Sequence, residues 1–120
     1  MSNSIIKTRS FQFAIQMVNF YKLLISEQKE FVMSKQVLRA GTSVGANVRE
    51  AMNAQSTADF IHKMAIAQKE CDETLYWLEL LKETGYVNEA VFTPMQKEAT
   101  ELLKIIRSII ITVKKKQNPK

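Results

Sequence analysis

Three carboxylates and their neighbours are the residues of this 120-residue chain best placed to do chemistry. Glu70 and Glu73 fall one helical turn apart, and Glu50 is positioned to face them from the preceding segment. Paired carboxylates can act as general acid and base. Here, however, Arg39, Ser43 and Asn47 share a segment with Glu50, and Ala40, Ser43 and Asn47 recur at helical spacing. That set fits a structural network of ion pairs and hydrogen bonds better than proton transfer. His62 is the single histidine, with Asp59 three residues before it. A ferritin-like di-metal centre needs a Glu from each of two helices and two Glu-x-x-His pairs, so no metal centre is expected. Cys71, the single cysteine, lies on an apolar seam with no histidine system to activate it and reads as an inert buried thiol. There is no phosphate-binding glycine loop and no nucleophile elbow. The residues predict no catalytic group and no cofactor.

Charge offers a second kind of chemistry. The net charge is +5, but between Thr57 and Phe92 seven acids face three lysines, and from Thr93 onward seven bases face two acids. Lys97, Lys104, Arg107, Lys114, Lys115 and Lys116 are therefore the candidate contacts to an anionic partner such as nucleic acid. The plainer account is an acidic helix lying beside a basic one. The terminal run KKKQNPK could neutralise a few phosphates, weakly and in a salt-sensitive way. Tyr76-Trp77 could stack on bases, although an aromatic pair in a helix more often serves a core or an interface.

Composition narrows the class. Three glycines and two prolines leave little material for hairpins or long loops, which favours helices throughout. A lone cysteine suits a reducing cytoplasm. The start MSNSIIKTRS lacks the apolar core of a secretory signal. The run Ile105 to Val113 is short and interrupted by Arg107 and Ser108, so no membrane span is expected.

Four amphipathic stretches must position these residues. Residues 1–9 read as a loose leader, with Ser10 as a cap and Phe11, Ala14, Met17, Val18, Tyr21, Leu24 and Ile25 as the apolar stripe of a helix over 10–26. A connection at 27–33 leads to Ser34 as the cap of a second helix over 34–54, with a seam of Val37, Gly41, Val44, Val48 and Met52. Gly41 and Gly45 each cost about 1 kcal/mol inside a helix, a cost accepted where another backbone approaches closely. Ser56 or Thr57 caps a third helix over 57–84, and Gly85 closes it in the left-handed conformation. The fourth runs to 116 from either Asn88 or Thr93, where Thr93-Pro94-Met95-Gln96 resembles a capping box. A start at Asn88 would put Pro94 inside it. Residues 117–120 read as loose.

Four such helices on short connections predict an all-α, up-down-up-down antiparallel four-helix bundle in one domain. Ile105, Ile110 and Ile111 lie off the seam of the fourth helix. That surplus predicts an exposed apolar surface and hence a homo-oligomer.

The segment SKQVLRAGTSVGANVREAMNAQSTADF resembles a known pattern. Arg39, Ala40, Ser43, Val44, Asn47, Val48 and Glu50, then Ser56, Asp59 and Phe60, match R-A-x-x-S-[IV]-x-x-N-[IV]-x-E followed by S-x-x-D-F. This is the signature of the 23S rRNA intervening-sequence proteins, a bacterial four-helix bundle family. Ala67, Glu73 and Leu78 continue the likeness. Lys69-Glu70 departs from it, where many members carry Gly-Ser. The resemblance implies a barrel-like homopentamer, and it implies no enzymatic function. It also implies kinship with the accessory proteins of diversity-generating retroelements, in which a basic surface contacts nucleic acid. The leading expectation is an oligomer that binds RNA or a nucleoprotein through helices one and four. The competing one is a protein–protein scaffold whose lysines are covered by neighbouring subunits. An enzyme using Glu50, Glu70 and Glu73 would need a pocket holding one of them open to solvent.

Overall fold

The structure, a computed structural model, describes residues 2–117, with side chains from Ile5 onward. Four helices account for nearly all of them: α1 (Ser2–Ser26), α2 (Met33–Met52), α3 (Thr57–Glu83) and α4 (Glu89–Gln117). No strand occurs among the described residues. Each helix packs on its two neighbours around a square, and the backbones of the diagonal pairs α1/α3 and α2/α4 do not approach closely. Side-chain register shows the alternation of direction. Met17 meets Gly41 and Ser10 meets Gly45, Arg39 meets Glu70 while Glu50 meets Lys63, and Cys71 meets Ala99 while Lys82 meets Glu89.

One periodicity builds the core. The buried residues Ile6, Ser10, Phe13, Met17, Phe20 and Leu24 of α1 recur at alternating spacings of four and three. Ser34, Val37, Gly41, Val44, Val48 and Ala51 do so on α2, and Met64, Ala67, Cys71, Thr74, Leu78 and Leu81 on α3. This is the 3.5-residue seam of helices packed near-antiparallel. On α4 the seam Phe92, Met95, Ala99, Leu102, Ile106 and Ile109 is widened by Leu103 and Ile110.

Several expectations change. Residues 2–9 are not a loose leader. They continue α1, because Ile6 extends the seam inward and nothing in NSIIKTRS breaks a helix. The stripe of α1 is correspondingly rotated: Phe13 and Phe20 face the core, whereas Phe11 is exposed. Ser10 is no cap but a buried residue whose hydroxyl donates to the Lys7 carbonyl at 3.2 Å. Ser34 is likewise inside α2, with its hydroxyl buried and unpartnered. The cap of α2 is the buried Glu30 carboxylate, which accepts the backbone N–H groups of Val32, Met33 and Ser34 at 3.2, 3.1 and 2.7 Å. Lys29, at φ 54°, turns the chain to deliver it. Gln117 belongs to α4, and Met1 and residues 118–120 lie outside the described residues.

The other ends follow their local chemistry. The Ser56 hydroxyl accepts the Asp59 N–H at 3.0 Å and caps α3. Gly85, at φ 86°, ends it in a Schellman motif, with Tyr86 N–H donating to Leu81 O and Gly85 N–H to Lys82 O. Asn88 Oδ1 accepts the Val91 N–H at 3.0 Å, so α4 starts there, Pro94 lies inside it, and no box forms at Thr93.

Candidate functional site

The polar residues of α2 and α3 are built as two separate contacts. Arg39 reaches across to α3 and pairs with Glu70 at 3.2 Å and with Glu73. Glu73 also accepts the indole N–H of Trp77 at 3.1 Å, so a tryptophan one turn on fixes its carboxylate. Glu50 lies three turns further along α2, about 16 Å away by helical rise. It pairs with Lys63 at 2.9 Å instead. The Lys63 ammonium is held above its ordinary pKa by that hydrogen bond and by the charges of Glu50 and Asp59. The three carboxylates thus do not surround a common space, and each already has a cation.

Between the two contacts, Ser43 and Asn47 bond within their own helix. Ser43 Oγ donates to the Arg39 carbonyl at 2.6 Å and Asn47 Nδ2 to the Ser43 carbonyl at 2.8 Å. Asp59 sits in the first turn of α3, a favourable place for a negative charge. His62 is exposed. No group of three or more His, Cys, Asp or Glu side chains placed to hold a metal ion occurs among the described residues. Cys71 is buried and its Sγ lies 3.1 Å from the Ala99 carbonyl. Burial first, then the charge of Asp72, pushes its pKa up to about 12, far from a reactive thiolate.

The basic candidates stand apart from this face. Lys97, Lys104, Arg107, Lys114, Lys115 and Lys116 are all exposed along α4. Lys97, Lys104 and Lys115 are spaced close to whole numbers of turns and share its outward line. Lys104 approaches Glu101 at 3.7 Å, whereas the other five pair with no carboxylate among the described residues. Helix α3 is therefore not a charge partner for the lysines of α4. The acids near α4 are taken by other cations: Glu98 holds Arg9 in a two-pronged bridge at 2.7 and 3.0 Å, and Glu89 holds Lys82 at 2.7 Å. The Arg9–Glu98 clamp could not be anticipated while residues 1–9 read as a leader. The partner of Glu50 was signalled only by a lysine one helix later.

Apolar surface is also redistributed. Ile110 packs in the core and Ile105 is partly buried, which leaves Ile111 as the one exposed isoleucine of the surplus. The open apolar side chains are on α1 instead, at Ile5, Phe11 and Ile15, of which Phe11 and Ile15 are neighbours on one helix face. Beside them runs a groove of about 410 Å³ between α1 and α2, floored by Gly45 and Ala46 and edged by Lys7 and Arg49. The Arg49 guanidinium stacks on Phe11 at 5.6 Å from the ring centre. Tyr76 is exposed and meets Trp77 edge-on, with ring centres 5.1 Å apart.

These features define a four-helix bundle with a polar α2/α3 face, an outward cationic line and an exposed apolar pair on α1, and without an assembled catalytic group among the described residues. No helix of the described residues is long and apolar enough to cross a membrane. The chain belongs to the family described as 23S rRNA-intervening sequence protein, which matches residues 2–108. It is similar to a protein of unknown function from Bacteroides thetaiotaomicron VPI-5482, assigned to the S23 ribosomal protein family and solved as a crystal structure. The identity is 54%, with 92% of this chain and 98% of that one covered, and the TM-score is 0.91. No curated protein matches the chain.

Proposed function

We propose that this chain is a non-enzymatic, cytoplasmic bundle that assembles with copies of itself and binds RNA or an RNA–protein partner through the cations of α4. The observation that carries the proposal is the set Arg107 and Lys114–Lys116, exposed and without a carboxylate partner among the described residues. Cations that only completed the fold would be matched by acids, as Arg9 and Lys82 are. Assembly is supported by the neighbouring exposed Phe11 and Ile15 of α1, since contiguous exposed apolar surface marks interfaces. A ring of five is the form that the resemblance implies.

RNA binding of this kind releases counterions and weakens steeply with salt. Pull-downs from native lysate, with and without RNase, test it together with a salt titration against structured RNA and heparin. The expected result is an RNase-sensitive partner and tighter binding of RNA than of heparin. A partner that survives RNase, with RNA held no better than heparin, favours the second reading, a protein scaffold. The same α1 residues support that reading.

A further inference from the structure

The bundle is electrically polar along its length. Divide the helices at Met17 and Gly41, which meet between α1 and α2, and at Cys71 and Ala99, which meet between α3 and α4. The end built from residues 5–16, 42–70 and 100–117 holds ten cations and four carboxylates. The other end, residues 17–41 and 71–99, holds six cations and eight carboxylates. The molecule is 51 Å long, while charges in physiological salt are screened over about 8 Å. A ligand at one end therefore does not feel the other. Helix dipoles do not create the difference, because two N-termini and two C-termini meet at each end and oppose one another. The side chains alone decide it.

We infer that the anionic partner engages only the end where α1 begins, α2 turns into α3 and α4 finishes. The bound species is a flexible single strand of RNA that bends around that end. The inference rests on the RNA-binding reading and gives it a place. Three of the four carboxylates there are paired, Glu50 with Lys63, Glu70 with Arg39 and Glu101 with Lys104, and the fourth, Asp59, sits in the first turn of α3. Lys7, Arg49, Arg107 and Lys114–Lys116 pair with no described carboxylate. Consecutive residues of a helix point about 100° apart, so Lys114, Lys115 and Lys116 cover three sides of the last turn of α4. Lys7 and Arg49 stand on α1 and α2, across an end about 22 by 21 Å. A flat anionic membrane would reach one side of this arrangement, and a short acidic peptide would reach one or two of its cations. A phosphate backbone can follow it round. Lys97, although on the same outward line of α4, lies past the divide among carboxylates and contributes nothing.

Two triple variants of equal charge test the placement. Lys114→Gln, Lys115→Gln and Lys116→Gln remove three charges from the basic end, and Lys22→Gln, Lys29→Gln and Lys35→Gln remove three exposed ones from the other. Binding to a labelled single-stranded RNA oligonucleotide is followed by anisotropy as salt is raised, with thermal melts to confirm folding. The first variant should lower the slope of log affinity against log salt by about 2, and the second should leave it unchanged. Equal losses in both variants overturn the placement while leaving RNA binding intact. Wild-type protein that binds vesicles of anionic phospholipid but not the oligonucleotide overturns the RNA reading and the placement together.

Discussion

Glu30 shows how one side chain can carry an element. Its carboxylate is buried and spends its oxygens on three backbone N–H groups at the start of α2, donors that would otherwise be orphaned. Glu30→Ala should cost about 2 kcal/mol, the upper range for loss of a helix cap. Glu30→Gln, which keeps an acceptor, should recover part of that in urea melts. An Ala variant as stable as wild type would mean that solvent caps α2 equally well. Cys71 gives a different signature, in pH. Its folded pKa of about 12 stands above the ordinary 9.0, so the fold binds the thiol proton more tightly than the unfolded chain. The stabilisation is complete below pH 9 and is lost as pH rises toward 12, at about 1.4 kcal/mol per unit of difference. Cys71→Ser does not titrate there and can keep the bond to Ala99 O. Its stability relative to wild type should therefore improve between pH 9 and pH 12 in denaturant melts. A constant difference would mean that Cys71 is hydrated in the fold.

At the scale of helices, the close approach of α1 to α2 depends on what Gly41 and Gly45 lack. A Cβ at Gly41 would overlap Met17 Cγ, and one at Gly45 would stand 3.0 Å from the Ser10 carbonyl oxygen. Alanine should gain about 1 kcal/mol of helix propensity at Gly41, but overpacking costs about 1–3 kcal/mol, so Gly41→Ala should destabilise on balance. Met17→Ala should cost less in the Gly41→Ala background than alone, which a double-mutant cycle in urea reads directly. The need for close packing was legible in LRAGTSVGANVRE, because glycine spaced along a helix has few other uses. The seams of α2, α3 and α4 were equally legible, since their buried residues are apolar and regularly spaced. Helix α1 was not. It is apolar on two sides, so Phe11 and Phe13 compete for the core, and only the docked neighbours decide between them. The cap of α2 was missed for a related reason: Ser34 has the local signature, but Glu30 works from a turn whose left-handed Lys29 has no sequence signal. On the polar face, the one-turn spacing of Glu70 and Glu73 was legible, but that Arg39 rather than Glu50 faces them was not. The pairing of Glu50 with Lys63 needed the α2–α3 register, and Arg9 with Glu98 needed the long α1.

At the scale of the whole molecule, the apolar side of α1 that is left over after folding sets the expectation for assembly. Ile5, Phe11 and Ile15 are 51, 53 and 48% exposed, and they lie on the first half of α1, with Phe11 and Ile15 beside Lys7 and Arg49. Bundles packed side by side through Phe11 and Ile15 would bury them with Lys7 and Arg49 and leave Lys114–Lys116 on the last turn of α4 open, so assembly and RNA binding should separate by mutation at those two places. Phe11→Asp with Ile15→Asp places two charges where an interface would have to desolvate them. Light scattering of this variant should fall to the 13.8 kDa of a single chain, whereas wild type should be several times larger. Lys115→Ala, at the far end of α4, should leave the assembly intact. The polar face offers the competing outcome, in which Asn47→Ala disturbs the oligomer more than Lys115→Ala does. Yet Asn47 spends an amide hydrogen on its own helix, at the Ser43 carbonyl, and Arg39 is engaged by α3. The larger loss is therefore expected from Phe11 and Ile15. If Asn47→Ala dissociates the oligomer and the double aspartate variant does not, the subunits meet through the α2 face, and Phe11 and Ile15 serve another contact.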